Sequence, residues 1–503
     1  MSKRATPLNK PEIMLDQHAA APLYRQLYQR LRGSILTGQL EAGTRLPSTR
    51  VMASSLGVSR TTTALAYEML LLEGYIESRV GDGTRVARLQ PEQLLQGGRN
   101  TQDLDTTDPS GTPPAALARR GQLLIDTPYT EEFYGDQGRR GTGLFLVGQP
   151  DVTYFPYELW ARLVAKHARQ SLQAVSLYQD VRGYAPLRQA IATHIALTRG
   201  VHCSPEQIII TTGAQGALDL VARVLLDPGD PAWVEDPGYS GARGALLAAG
   251  AKLVAVPIDE EGLDVDAGRQ LSAEARLAIV TPSHQFPTGV TMTLSRRLAL
   301  LEWSREAHAW IVEDDYDSEY RFSGRPLEAL HGLDHAGRVL YIGTFSKVLF
   351  PSLRLGYLVA PPELLPGLIA TYRLIAVHLP LLEQMALADF MALGYFARHV
   401  RRMSRLYRER RNALVEALAR ELGQRLEVTV PEAGMHLVVW LPKGMSAQAA
   451  AHRAAASGLH ILPISQFSLR SLQRDGLVLG FASATPQELR AGIQTLALAL
   501  QAH

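Results

Sequence analysis

One lysine stands in the run Tyr341-Ile342-Gly343-Thr344-Phe345-Ser346-Lys347-Val348-Leu349-Phe350-Pro351-Ser352-Leu353-Arg354-Leu355-Gly356-Tyr357, just after an apolar, strand-like segment. Phe345, Val348, Leu349 and Phe350 flank Lys347. Burial among such residues disfavours the ammonium form and frees the amine to attack a carbonyl. Thr344, Ser346 and Arg354 add hydroxyls and a bidentate cation, groups suited to a phosphate. A surface lysine at a strand end would have the same local sequence, so residues elsewhere must decide between the two.

The other strand-like runs end in equally polar residues. From residue 144 onward, helical patterns alternate with short β runs at 208–211, 232–235, 252–256, 278–281, 310–313 and 339–342. Strands separated by helices predict an α/β fold with a doubly wound, mostly parallel sheet that binds ligands at the strand C-terminal ends. Thr212-Gly213-Ala214-Gln215-Gly216-Ala217 follows the first run, and small residues opening a helix can aim backbone N–H groups and the helix dipole at a phosphate. Asp236-Pro237-Gly238-Tyr239 follows the second and supplies an aromatic ring. Pro282-Ser283-His284-Gln285-Phe286-Pro287-Thr288-Gly289 and Glu313-Asp314-Asp315-Tyr316-Asp317 follow the fourth and fifth, and Lys347 comes after the sixth. A lysine for an aldehyde, a phosphate cradle, an aromatic plate and a carboxylate for a ring nitrogen together meet the needs of pyridoxal 5′-phosphate (PLP).

These elements belong to the larger part of 503 residues, enough for two or three domains, with 46% hydrophobic content. The net charge of +2 divides unevenly: residues 1–90 hold 12 Lys/Arg and 7 Asp/Glu, a net of +5, leaving 39 against 42, a net of −3. A basic head on a mildly acidic body points to a nucleic-acid module joined to something else. In that head, Leu23, Leu27, Leu31 and Ile35 repeat at helical spacing. A second short helix starts at Pro47-Ser48-Thr49-Arg50 and stops at Leu56-Gly57-Val58, and Ser59 caps a third over 60–73. Two short helices joined through a glycine turn match a helix-turn-helix. Its recognition helix would present Ser59, Arg60, Thr61, Thr62 and Thr63 to the major groove. Gly74 to Arg79 and Thr84 to Val86, around Gly81-Asp82-Gly83, read as a wing hairpin with arginines on both strands.

Residues 1–20 read as a flexible tail, 21–89 as the head, 90–140 as a linker rich in Gln, Gly, Thr, Asp and Pro, and 141–503 as the body. Arg119-Arg120 and Arg139-Arg140 in the linker read as solvated. Cys203 is the single cysteine, so no internal disulfide forms, and no secretory leader pattern opens the chain. The most apolar helical region, 364–393, is broken by Arg373, His378, Glu383 and Asp389, so no membrane span is expected and the cytoplasm is the expected location. His331 and His335 are four apart, but Gly332 lies between them and no Glu follows in metalloprotease order. No metal site is expected.

Pro47-Ser48-x-Arg50, Leu56-Gly57-Val58-Ser59-Arg60, Ala66-Tyr67, Glu73-Gly74-Tyr75-Ile76 and Arg79-x-Gly81-x-Gly83-Thr84 resemble the winged helix-turn-helix of GntR-type bacterial regulators. The body resembles fold-type I PLP-dependent aminotransferases, with a smaller C-terminal α+β part. Gly148-Gln149-Pro150-Asp151, Phe155-Pro156, Tyr178-Gln179-Asp180 and Gly183-Tyr184-x-Pro186-Leu187-Arg188 match as well. The joined chain resembles the MocR subfamily of GntR-type regulators, PLP-binding transcription factors. That resemblance implies that Arg45, Arg50 and Arg60 contact operator DNA, with Arg79 on the wing. It implies that Lys347 holds PLP as an aldimine, and that Arg354, Thr344 and Ser346, with the backbone of Gly213, Ala214 and Gln215, hold its phosphate. Asp314, with Asp315 as an alternative, would pair with the pyridine nitrogen. Tyr316 would bond the ring O3′, Tyr239 would stack on the ring, His284 would lie beside it, and Tyr178 would reach the phosphate of a partner subunit's cofactor in a homodimer.

The sequence departs from the aminotransferase pattern in two places. Such enzymes often carry an arginine in the last strand for the substrate carboxylate, whereas the corresponding run is Gly476-Leu477-Val478-Leu479-Gly480-Phe481. Arg470 or Arg474 just upstream would have to substitute. Phe286 stands where an asparagine usually assists O3′. The expected function is a PLP-dependent DNA-binding transcriptional regulator that senses PLP itself or an amine or amino-acid effector, with at most residual transaminase activity. The alternative is a PLP-dependent aminotransferase with a DNA-binding appendage.

Overall fold

The computed structural model describes residues 13–16, 19, 21–79, 83–88, 117–125, 143–170, 176–322, 328–423 and 426–501. The chain divides into two units, Met1–Ala115 and Ala116–His503.

In the first unit, α1 (Leu23–Leu36) buries Leu27, Leu31 and Ile35, the inner face of its four-residue repeat. That stripe packs against Ala66, Tyr67 and Leu70 of α3 (Arg60–Leu72), with Leu46, Met52, Tyr75 and Val86 closing the core. α2 (Thr49–Leu56) is capped by Ser48, whose side chain accepts from the Val51 N–H at 3.4 Å, and ends at Gly57 in left-handed backbone. β1 (Ile76–Arg79) and β2 (Gly83–Val86) pair antiparallel, Ile76 opposite Val86 and Arg79 opposite Gly83. The expected tail and the Gly81-Asp82 turn lie largely outside the described residues. So does the expected linker, except at 117–125, where Arg119–Ile125 forms a helix packed on the helix Ser240–Ala249 of the second unit.

The second unit is built on an eight-stranded sheet of order β3-β10-β9-β8-β7-β4-β5-β6. Its strands are β3 (Ile208–Thr211), β4 (Pro231–Asp236), β5 (Lys252–Asp259), β6 (Gly262–Leu263), β7 (Leu277–Val280), β8 (Trp310–Asp315), β9 (Val339–Thr344) and β10 (Gly356–Val359). The pairs β5–β4, β4–β7, β7–β8 and β8–β9 are parallel. β10 runs antiparallel between β3 and β9, with Gly356 opposite Thr211 on one side and Thr344 on the other. At that rung a Cβ on Gly356 would come within 2.8 Å of the Gly213 backbone, so only glycine lets the strands meet there. β3, β7, β9 and β10 are buried throughout, as a sheet covered by helices on both faces requires. A second sheet, β11 (Glu427–Thr429), β12 (His436–Trp440), β14 (Gly476–Gly480) and β13 (Leu462–Pro463), is antiparallel throughout. No described helix is long and apolar enough to cross a membrane.

Candidate cofactor pocket and DNA-reading head

The strand ends meet at one cleft. It is lined by Val147, Gly148, Gln149, Ala214, Gln215, Tyr239, Thr281, Phe286, Asp314, Tyr316, Thr344, Ser346, Lys347, Pro351, Arg354, Met435 and His436. Nine of the expected cofactor residues are therefore brought together by strands and loops far apart in sequence. The Lys347 amine donates to the Gly148 carbonyl at 2.9 Å. Burial pushes this amine below its ordinary pKa, Arg354 adds to the effect, and Asp317 and Asp314 oppose it.

Asp314 and Asp315 differ in their partners. Asp315 turns away from the cleft to Arg199, whose Nε donates to it at 2.7 Å, and Tyr341 also donates to it. Asp314 lines the cleft, is 5% exposed, and its Oδ1 has no hydrogen-bond partner. Burial raises its pKa to about 7, with Asp315, Glu235 and Asp317 adding to the rise. An orphaned buried carboxyl oxygen facing a cleft fits a protonated ring nitrogen, which would return the carboxyl to its ionised form.

Tyr316 is held from behind. Its hydroxyl lies 3.0 Å from His284 Nδ1, and that nitrogen also lies 3.1 and 3.2 Å from the two oxygens of Asp317. A carboxylate can only accept, so Nδ1 carries the proton. The Tyr316 oxygen then accepts from the imidazole, and its own O–H stays free to donate into the cleft. Burial, with Asp317 and Asp314 adding, raises the phenol well above its usual pKa and keeps it a donor. A Cβ on Gly434, whose φ is +86°, would collide with the His284 ring and come within 2.8 Å of Asp317, so this glycine lets the backbone close over the pair. His284 thus serves the cleft through Tyr316 rather than as part of its wall.

At the other end, Gly213 precedes the helix Ala214–Leu225, and Ala214 and Gln215 at its start line the cleft. Arg354, itself in left-handed backbone at φ 51°, donates to the Thr212 carbonyl at 3.0 Å. Its guanidinium lies 3.3 Å from where a Gly213 Cβ would be. Thr344 Oγ1 accepts from the Ser346 N–H at 3.2 Å, while Ser346 Oγ is buried without a partner. A cation, a helix N-terminus and an unpartnered hydroxyl fit a phosphate. Tyr239 stands on the cleft wall edge-on to Phe286, with ring centroids 6.2 Å apart. Tyr178 is not on the wall: it is 87% exposed and meets His378 edge-on. Neither arginine offered as a carboxylate clamp lines the cleft, since Arg470 is exposed and Arg474 pairs with Glu427 at 2.6 Å.

Sequence reasoning missed three residues here. Glu235, fully buried, accepts from the Thr281 N–H at 3.0 Å and from the Thr281 hydroxyl at 2.6 Å, and burial raises it to about 7. Asp317 orients His284, and His436 reaches the cleft from β12. Each acts through a contact across at least 33 positions or from another sheet, and no local pattern marks it. His284, Asp317 and His436 come within 4.8 Å of one another, a spacing that could hold a metal ion. Their hydrogen bonds instead run between His284 and Asp317, to Tyr316, and to the Pro287 carbonyl.

In the head, Arg45, Arg50, Arg60 and Thr61 are exposed or half-exposed, and Ser59 caps α3 by accepting from the Thr62 N–H at 3.0 Å. The Arg79 side chain lies outside the described residues. Thr63 corrects the sequence reading. It is 0% exposed and belongs to the inner stripe of α3 with Ala66, Tyr67 and Leu70, so it cannot meet DNA as the helix stands. Its Oγ1 has no partner. Thr63→Val should therefore raise the stability of the head by about 1 kcal/mol in thermal unfolding and leave DNA affinity unchanged.

Residues 23–86 match the bacterial regulatory proteins of the gntR family, and residues 150–496 match aminotransferase class I and II. The chain is 43% identical to the "Probable rhizopine catabolism regulatory protein MocR" of Rhizobium meliloti, over 96% of this chain and 95% of that one. It is 34% identical to the "HTH-type transcriptional regulator TauR" of Rhodobacter capsulatus, over 95% and 96%. Among solved structures, LysN, the α-aminoadipate aminotransferase of Thermus thermophilus complexed with N-(5′-phosphopyridoxyl)-L-leucine, superposes with a TM-score of 0.66. It is 33% identical, and the match covers 76% of this chain and 95% of that one. The second unit has the fold-type I architecture, and its cofactor is pyridoxal phosphate. With a GntR-type winged helix ahead of that domain, the chain belongs to the MocR-type regulators, PLP-dependent DNA-binding transcription factors.

Proposed function

We propose that this regulator is a cytoplasmic homodimer whose DNA binding responds to a small amine sensed at the Lys347 cleft. One observation carries the reading: a buried lysine, an orphaned carboxyl and an anion cradle share one cleft on a chain that also carries a DNA-reading head. Bound PLP supplies an electrophilic carbonyl carbon to which amines add. The protein supplies the rest. Lys347, held below its ordinary pKa, provides an amine that is neutral more often than a free lysine. Asp314 would hold the ring-nitrogen proton, Tyr316 would donate to the ring oxygen, and Arg354 with the start of the helix Ala214–Leu225 would anchor the phosphate. An effector controls DNA binding only if it binds two arrangements of the protein unequally. The exposed Tyr178 is consistent with a role at a subunit interface, and two copies of the head would suit an operator with two half-sites.

Retardation of operator DNA by PLP-loaded protein, with and without candidate amines, tests the reading. Arg60→Ala should weaken binding about tenfold or more and lower the salt slope by about 1. Unchanged affinity and slope would remove α3 as the reading helix. Steady turnover of an amino donor with a keto acid, without any effect on DNA binding, would favour the aminotransferase alternative.

A further inference from the structure

The cleft wall also bears on which amine the protein takes, an inference that rests on the sensing role proposed above. Among the described residues lining the cleft, the side-chain cations are Lys347 and Arg354. Arg354 is committed to the anion end, beside Thr212 and Gly213, and Lys347 is the reactive amine. The rest of the wall adds no further cation: Val147, Phe286 and Met435 line it beside the uncharged Gln149 and Thr281, and Val438 and Val478 pack in one cluster with Val147 and Phe286. A carboxylate placed there would lose its water without gaining a counter-charge.

His436 adds a positive requirement. Its Nε2 lies 3.0 Å from the Pro287 carbonyl oxygen, which can only accept, so Nε2 carries the proton. Nδ1 then holds the lone pair, and no described residue bonds to it. Burial, with His284 adding, lowers the pKa of the ring to about 3, so the imidazole remains a neutral acceptor at physiological pH. A hydroxyl satisfies an acceptor; a carboxylate presents only lone pairs to it. A second ammonium would add a positive charge to a cleft that already holds the Arg354 guanidinium.

We infer that the effector is a primary amine bearing one or more hydroxyl groups, an amino alcohol rather than an amino acid, with a hydroxyl donating to His436. The test titrates PLP-loaded protein, freed of excess cofactor, with two matched pairs: ethanolamine against glycine, and 3-aminopropan-1-ol against β-alanine. Cofactor absorption and operator retardation are both read. The amino alcohols should act at concentrations at least tenfold below their carboxylate counterparts. His436→Phe should reduce that preference at least tenfold, and His436→Asn, which keeps an acceptor, should retain most of it. Carboxylates acting at equal or lower concentrations overturn the inference. So does a wild type that shows the cofactor band but responds to neither amino alcohol, or a preference that survives in His436→Phe. A wild type without any cofactor band overturns the sensing role itself.

Discussion

Lys347→Ala is expected to abolish covalent retention of PLP. The wild-type protein, loaded and freed of excess cofactor, should absorb in the visible and gain the mass of a reduced phosphopyridoxyl group after borohydride treatment. The variant should show neither. The effect is all or none, because the amine on Gly148 is the sole lysine nitrogen among the described residues of the cleft. The variant should still bind operator DNA, since the head folds around its own core, but the response to amines should disappear. A colourless wild type, or a variant that carries the same reduced adduct, would overturn the assignment of Lys347.

The second large effect concerns Asp314 in the cofactor-free protein. Its carboxyl titrates at about 7 when folded against 3.8 as an ordinary aspartate. Between those values the folded state holds a proton that the unfolded state lacks. Stability is therefore greatest at and below about pH 4 for this group, and falls as pH rises toward and through 7. The upper limit of the loss is roughly 4 kcal/mol. Glu235, raised to about 7, and Glu319, raised to about 8, slope the same way. Asp314→Asn removes one contribution, so the cofactor-free variant should lose less melting temperature between pH 5 and 8 than the wild type does. PLP binding should flatten the wild-type curve, because a protonated ring nitrogen stabilises the carboxylate. Equal pH dependence in wild type and variant would show that Asp314 is ionised throughout.

Much of the site was legible because its residues sit where strands end. Asp314, Tyr316, Tyr239 and Lys347 all follow short apolar runs, and a parallel sheet collects such ends on one edge. The choice between Asp314 and Asp315 was not legible, since it depends on Arg199, 116 positions away. The roles of Asp317 and His436 rest on contacts with no sequence period. Thr63 shows a different failure. The hydroxyl-rich start of α3 reads as a groove-facing surface, but the helical spacing of Thr63, Ala66, Tyr67 and Leu70 places Thr63 on the core stripe. The direction of β10 could be read from chain length alone, because residues 345–355 are too few for a parallel crossover.

The rung of Thr211, Gly356 and Thr344 also constrains how this family can vary. Lys347 and Arg354 hang from the loop between two strands whose register is fixed on both sides of β10. An inserted or deleted residue there cannot be absorbed by a slip, which would turn every buried β10 side chain to the opposite face. It has to be absorbed in the loop itself, where it changes the spacing between the lysine and the arginine. Natural variation in the length of residues 345–355 should thus be rare, and chains that show it should have given up either the covalent anchor or the anion cradle.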